Sequence, residues 1–360
     1  MRIIEVIPSL KVRAGAEVFA VDLCCELKEK GNEVLFVCLY DEIDKSFADQ
    51  LASCSVNVVF CKKQKGLDLA CSRIFKRIVK DFSPDIIHAH LGCLATYYLA
   101  FGFKKCKWHF AQTIHNIAER ECDKVNKFLK KRYTKRGLLT LIGISKTISE
   151  SIIALYKCKP ITVYNGVRLS NIVSNNYDIT FDIVCVARFS IQKNHKLLME
   201  AIHRLINNYN YPNLRCVCVG DGPLLVETID YSKKLGINDN IQFVGKKNDV
   251  LHFLKKSKIF VLSSLYEGNP ISALEAMNAG LPVVAPRVGG IPDIIKNRLN
   301  GIIYNVNDVE GLVVSLKTLL DDDDLRSKIS IFNKKDVQQY SIEHCAEEYN
   351  LEFLRMLSSK

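Results

Sequence analysis

A chain of 360 residues, 48% hydrophobic and 25% charged, can bury a large core and is expected to divide into about two globular domains. No run reaches the roughly 18 apolar residues of a bilayer span, and "MRIIEVIPSLKVRAGAE" is too short in its apolar part for a signal peptide, so the expectation is a chain that remains in the cytosol. The 14 cysteines are scattered with no C-x-x-C pair, which argues against a zinc site or a thioredoxin-type redox motif, and nearly all of the +11 net charge lies in the first 165 residues.

In chain order, apolar β-rich runs occur at 2–8, 33–40, 56–60, 85–90, 108–116 and 138–145. Helical patterns fall between them. In "GAEVFAVDLCCELKEKGNEV" the apolar residues recur three and four apart, and Gly31 supplies the stop. A polar stretch, 170–178, follows, and the alternation restarts with runs at 181–189, 214–222, 240–245, 258–264, 282–287 and 301–305. Alternating strands and helices predict parallel sheets with crossover helices, here in two α/β domains joined near residue 170. A last helix, 341–357, comes after the second domain's strands are used up and is expected to pack elsewhere.

Two segments concentrate the positive charge. "CKKQKGLDLACSRIFKRIVKDF" (61–82) and "ERECDKVNKFLKKRYTKR" (119–136) interleave Lys and Arg with apolar residues at near-helical spacing. A helix lying on anionic lipid has this pattern, and so has an ordinary solvated helix face; nucleic acid is a third partner that charge alone permits.

In open α/β sheets a ligand sits beyond the carboxyl ends of the strands, often against a helix N-terminus that favours an anion. Arg188 ends one predicted strand and Lys193 follows five residues later, a fork and a point charge suited to a pyrophosphate. Another strand stops just before Glu267, after which Gly268, Asn269 and Pro270 turn the chain into the helix "ISALEAMNAG". Proline at a helix start costs nothing, because the N–H it lacks has no helical partner there. Glu275 lies eight residues beyond Glu267, roughly 8 Å further along. That is too far for the carboxyl pair of a retaining hydrolase, about 5 to 5.5 Å apart. The two read instead as acceptors for different parts of one long ligand, with an anion held between them, and a nucleotide sugar has that sequence of groups.

These residues resemble the E-x7-E region of retaining GT-B glycosyltransferases, most similar to glycosyltransferase family 4, and the likeness runs through nearly the whole chain. It includes "ARFSIQKNH", "VGDGP", "FVG", "GLPVVAPRVGGIPDII", "GISKTIS" and "YNGV". The resemblance implies two Rossmann-like domains facing each other across a cleft, 1–168 on the acceptor side and 169–340 on the donor side, with 341–360 crossing back onto the first. It implies that Glu275 holds the donor ribose, that Glu267 and the amides of Gly268 to Ile271 meet the transferred sugar and β-phosphate, and that Arg188 and Lys193 hold the diphosphate as it leaves. Gly15 and Ala16 match the glycine-rich loop near the diphosphate, although Ala14 stands where a second glycine is common. His115 in "TIHN" matches a histidine beside the donor sugar, and the base is expected near Gly245 and Lys246. Domain closure would bring the Gly15 loop and His115 onto the donor.

The implied activity is that of a hexosyltransferase. It moves a hexose-type sugar from a nucleoside diphosphate sugar, UDP-linked by preference, to an acceptor hydroxyl with retention, and without a metal or other cofactor. "DDDD" at 321–324 contains a metal-binding D-x-D pattern but reads better as a helix cap. Because the basic half is where this family holds its acceptor, the expected acceptor is a lipid-linked saccharide for lipopolysaccharide, capsule or another surface polysaccharide. The expected setting is the cytoplasmic face of an anionic membrane, contacted by Lys76, Arg77, Lys127, Lys130, Lys131 and Arg132, with no nucleic acid. A nucleotide-sugar epimerase of the same plan and a non-catalytic homologue are the alternatives. A dinucleotide oxidoreductase would want G-x-G-x-x-G after its first strand, which "SLKVRAGAEVF" lacks.

Overall fold

The structure, a computed structural model, describes residues 1–121, 123–169 and 178–358. The polar stretch at 170–177 lies outside the described residues. The chain forms two compact units, Met1–Arg168 with Tyr340–Lys360, and Leu169–Gln339.

The first unit is built on seven parallel strands, β1 (Arg2–Ile7), β2 (Glu33–Cys38), β3 (Asn57–Phe60), β4 (Ile86–His90), β5 (His109–Ile114), β6 (Thr140–Gly143) and β7 (Ile161–Thr162), in the order β3-β2-β1-β4-β5-β6-β7. The connections are helical: α1 (Gly15–Glu29), α2 (Lys45–Ser53), α3 (Leu69–Phe82), α4 (Leu94–Phe101), α5 (Lys124–Lys135) and α6 (Lys146–Tyr156). Strands β1 and β4 are buried almost end to end, because helices cover both faces of the sheet. Each fully buried Ile or Val in them, such as Ile4 or Ile87, contributes about 1.5 to 3 kcal/mol of hydrophobic stabilisation.

The second unit repeats the plan with β8 (Phe181–Val186), β9 (Cys216–Val219), β10 (Ile241–Phe243), β11 (Ser257–Val261), β12 (Val283–Pro286) and β13 (Gly301–Tyr304), in the order β10-β9-β8-β11-β12-β13. Its helices are α7 (His195–Asn208), α8 (Leu225–Lys234), α9 (Val250–Lys255), α10 (Ile271–Asn278), α11 (Ile291–Ile294), α12 (Val309–Asp321) and α13 (Asp323–Asp336). Asp322 caps α13, its carboxylate accepting from the Leu325 N–H at 2.8 Å, while Asp321 accepts from Tyr211 and Lys317 and Asp323 pairs with Arg326.

The last helix, α14 (Ile342–Ser358), returns to the first unit and packs on α1. Gly166 permits this. A Cβ there would lie 2.7 Å from the Ile342 Cα and from the Cys345 Cβ, and the backbones bridge where Val167 N–H donates to Tyr340 O and Ile342 N–H to Val167 O. That close approach explains the glycine of "YNGV".

Each of the twelve predicted strand runs contains a strand. The run at 161–162 was missed, since two residues at a sheet edge carry no alternation to read. Several predicted runs extend past the real strand, and the excess is informative: residues 115–116 and 187–189 are strand-end loops that bear candidate site residues.

Candidate active site

The strand order reverses between β1 and β4 in the first unit and between β8 and β11 in the second. Beyond the carboxyl ends of the strands at such a reversal the adjoining loops part and leave room for a ligand. In the second unit Arg188, Lys193 and Glu267 lie at that reversal, while Gly245 and Lys246 follow the edge strand β10; in the first Gly15 follows β1, and His115 follows β5, one strand beyond the reversal.

In the second unit Arg188 lies two residues past β8 and is exposed, and Lys193 ends a single 3-10 turn, Ile191–Lys193. Glu267 lies past β11, and Lys193 Nζ sits 2.5 Å from its Oε1. The Ser264 hydroxyl donates to the same oxygen at 2.6 Å. The side chains of Lys193 and Glu267 are 18% and 5% exposed, so this is a largely desolvated cation–carboxylate pair with one face open. Backbone bonds stitch the two loops together: Leu265 N–H donates to Gln192 O, and Ser263 Oγ to Lys193 O. Gly268, Asn269, Pro270 and Ile271 are buried around the start of α10, whose N-cap residue, Pro270, supplies no side-chain hydrogen bond to the first N–H groups. Glu275 is half-buried inside α10, on the turn after those amides. Gly245, with φ of +69°, accepts from Gly220 N–H, and Lys246 beside it is exposed.

Gly289 explains part of "RVGGIP". Its φ is +51°, and a Cβ would fall 1.7 Å from the Glu267 carbonyl oxygen. Gly289→Ala is therefore expected to destabilise the second unit by about 3 kcal/mol, measurable as a fall in its unfolding transition. An unchanged transition would mean that the Glu267 loop is not held this closely.

In the first unit Gly15 opens α1, exposed, with Ala16 half-buried behind it; Ala14 caps without a side-chain hydrogen bond. His115 follows β5. Its backbone N–H and that of Asn116 donate to Glu121 Oε2 at 2.5 and 2.9 Å. Burial pushes the Glu121 carboxyl up to about 7, against the pull of Lys130 and the two amides.

Behind His115 lies a buried polar cluster that sequence reasoning did not single out. Glu5 of β1, His88 and His90 of β4 and Thr113 of β5 are fully buried. Residues two apart share a strand face, and the register sets Glu5 beside His88 and His90 beside Thr113. His88 Nδ1 is 3.0 Å from Glu5 Oε1, and His90 Nε2 is 2.9 Å from Glu5 Oε2. His90 Nδ1 is 2.9 Å from His115 Nε2. His88 Nε2 meets Thr113 Oγ1 at 2.8 Å, which meets the Tyr349 hydroxyl of α14 at 2.8 Å. Burial alone would raise the Glu5 carboxyl, but His88 and the hydrogen bonds from both histidines bring it down to about 2. Burial, with His88 nearby, lowers His90 to about 4. The donor atoms of Glu5, His88 and His90 lie within 4.8 Å of one another, close enough for a divalent ion, yet here they satisfy each other. The signal was available: an acid in a central parallel strand and the H-x-H of "DIIHAH" are polar groups where only apolar ones are cheap.

Of the residues expected at a membrane, Lys76, Arg77, Lys131 and Arg132 are exposed and Lys127 is half-buried. Lys130 is a correction. It is 2% exposed, on the inward face of α5 between Leu129 and Tyr133, with its Nζ 6.0 Å from the Tyr156 ring centroid, and it is unavailable to a surface.

Comparison with solved structures places the fold. The chain is similar to a glycosyltransferase from Rickettsia africae, with a TM-score of 0.81 at 18% identity over 99% of both chains. It is also similar to HepE from Anabaena in complex with UDP, with a TM-score of 0.80 at 17% identity over 100% of both. The fold is that of the GT-B glycosyltransferases. Two family descriptions then divide the sequence between them, "Glycosyltransferase Family 4" matching residues 13–171 and "Glycosyl transferases group 1" matching residues 172–336. The chain belongs to this group 1, family 4 class of glycosyltransferases. Among curated relatives it is 28% identical over 330 residues to the UDP-Gal:alpha-D-GlcNAc-diphosphoundecaprenol alpha-1,3-galactosyltransferase of Escherichia coli, covering 85% of this chain and 81% of that enzyme. It is 24% identical to the N-acetyl-alpha-D-glucosaminyl L-malate synthase of Bacillus anthracis, covering 93% of this chain and 92% of the relative.

Proposed function

We propose that this glycosyltransferase moves a hexose-type sugar from a UDP-sugar to a hydroxyl of a lipid-linked saccharide, with retention of configuration and without a metal. The observation that carries this reading is the desolvated Lys193–Glu267 pair just before the start of α10, with exposed Arg188 on the neighbouring strand end. Lys193 and Arg188 compensate the diphosphate charge that grows as the sugar departs, and a preorganised cation at low dielectric does this best. Glu267 and the amides that follow it orient the sugar and β-phosphate, Glu275 accepts from the ribose, and the base lies by Gly245 and Lys246. Gly15, Ala16 and His115 are the first unit's contribution, His115 meeting the sugar. UDP in the Anabaena neighbour, and UDP-Gal in the name of the Escherichia coli relative, support the choice of base.

The first test is thermal stabilisation by UDP-, GDP-, ADP- and dTDP-sugars in EDTA, on the wild type and on Glu275→Gln. Selective stabilisation by a UDP-sugar, weakened about tenfold in apparent affinity by the substitution, is the expected result. Equal stabilisation of both proteins would remove Glu275 from the site.

A membrane setting is supported by the company the exposed cations keep. Leu67, Leu69 and Ile74 project into solvent around Lys76 and Arg77, and Val125 and Phe128 do so near Lys131 and Arg132, with Phe128 60% exposed. No helix among the described residues is long and apolar enough to cross a membrane, so the attachment proposed is peripheral. Changing Lys76, Arg77, Lys131 and Arg132 to Gln should weaken sedimentation with phosphatidylglycerol vesicles on the order of a thousandfold, at about 1 kcal/mol per cation. Unchanged binding would return these helices to ordinary solvated faces.

A further inference from the structure

We infer that Glu5 and His90 are positioning residues for His115, the chain Glu5–His90–His115 fixing the tautomer in which His115 offers Nδ1 as a hydrogen-bond acceptor. The inference rests on the reading of His115 as the group that meets the sugar.

The direction of every bond in the chain follows from its buried end. An ionised carboxylate only accepts, so the His90 nitrogen facing Glu5, Nε2 at 2.9 Å, carries the proton. His90 is fully buried and its pKa is lowered to about 4, so the ring is neutral and its other nitrogen is bare. That bare Nδ1 lies 2.9 Å from His115 Nε2, which must then donate. Burial and the neighbouring His90 also hold His115 well below its usual range. A neutral ring with its proton on Nε2 has a lone pair on Nδ1. Without the carboxylate the chain could run the other way and turn the same atom into a donor. Partner-fixed tautomers of this kind are how a second residue governs a functional histidine.

The cluster is built to hold this polarity. The second branch, through His88, Thr113 and the Tyr349 hydroxyl, pins the other side of the Glu5 carboxylate. The Phe19 ring packs edge-on against both His90 and His115, at 6.2 and 5.7 Å between centroids, and restricts their rotation. A neutral amide at position 5 both donates and accepts, and would no longer dictate the direction. Glutamine at position 90 can still donate to Glu5 and accept from His115.

The test uses the full chain labelled with nitrogen-15 histidine and long-range proton–nitrogen correlation spectra, with His115 assigned from His115→Gln. The wild type should show His115 protonated on Nε2 with Nδ1 bare. Glu5→Gln and His90→Phe should shift it toward the opposite tautomer and lower kcat roughly 10- to 100-fold with the donor KM nearly unchanged. His90→Gln should restore both tautomer and turnover. An Nδ1-protonated His115 in the wild type, or an unaltered tautomer in folded Glu5→Gln, would overturn the proposal, as would stoichiometric zinc bound through Glu5, His88 and His90. If the tautomers behave as expected but His115→Ala keeps full turnover, it is the reading of His115 that fails, and the positioning role fails with it.

Discussion

Replacing Lys193 by methionine is expected to lower kcat roughly 10²- to 10³-fold, the usual cost of removing one preorganised electrostatic group from a site of charge development. The same substitution strands the buried Glu267 carboxylate, whose remaining described partner is the Ser264 hydroxyl. An uncompensated buried charge costs about 3 kcal/mol, so loss of activity could reflect loss of fold. The double variant Lys193→Met, Glu267→Gln separates the two. With both charges gone it should regain most of the stability, since Ser264 can still donate to the amide oxygen, yet remain as slow as the single variant. Recovery of turnover in the double variant would mean that Lys193 serves only to neutralise Glu267.

The second large effect is on acid stability. His90 in the first unit and His195 in the second both have their pKa lowered to about 4, chiefly by burial, with His88 and Lys193 respectively adding to it. His195 is buried and stacked on Phe189, with ring centroids 4.0 Å apart. Unfolding returns each ring to the ordinary value of 6.5. Between those values the unfolded chain binds more protons than the native one, so stability is full above pH 6.5 and falls as pH drops toward 4. The slope is about 1.4 kcal/mol per pH unit for each group, or roughly 3 kcal/mol each over the interval. Glu5 adds a second loss at lower pH, as its carboxylate protonates between 4.5 and about 2. Each unit carries at least one such histidine, the first also His115, which burial holds well below its usual range, so both unfolding transitions should move down between pH 7 and 5 in a calorimetric series. A flat profile there would mean that these rings take up protons without unfolding.

Much of this architecture was legible because parallel strands buried on both faces read as apolar runs, and twelve of them stand out in the sequence. The candidate site was legible for a different reason: Arg188, Lys193 and Glu267 are charges at strand-end loops and Glu275 a charge in the helix that follows, positions that a packed core does not require. Glu5 and His90 were invisible as a pair because 85 residues separate them, and only the β1–β4 register brings them together. Lys130 misled because the periodicity of α5 is ambiguous. A helix with lysines on several faces does not announce which one turns inward, and that depends on how α4 and α6 pack around it.

The last helix has a consequence for how the protein is made. Tyr349 supplies the outer hydroxyl of the Glu5 cluster, and Gly166 is pressed against the start of α14. During synthesis the ribosome therefore completes the whole second unit before the residues that finish the first have emerged. The nascent N-terminal sheet waits with the α14 side of its cluster open, a long-range closure of the kind that slows folding and leaves an intermediate exposed. A release of the chain a few residues short of Tyr349 would supply every strand of both sheets but leave the Glu5 cluster incomplete and the α14 side of the first unit without buried Tyr349 and Phe353.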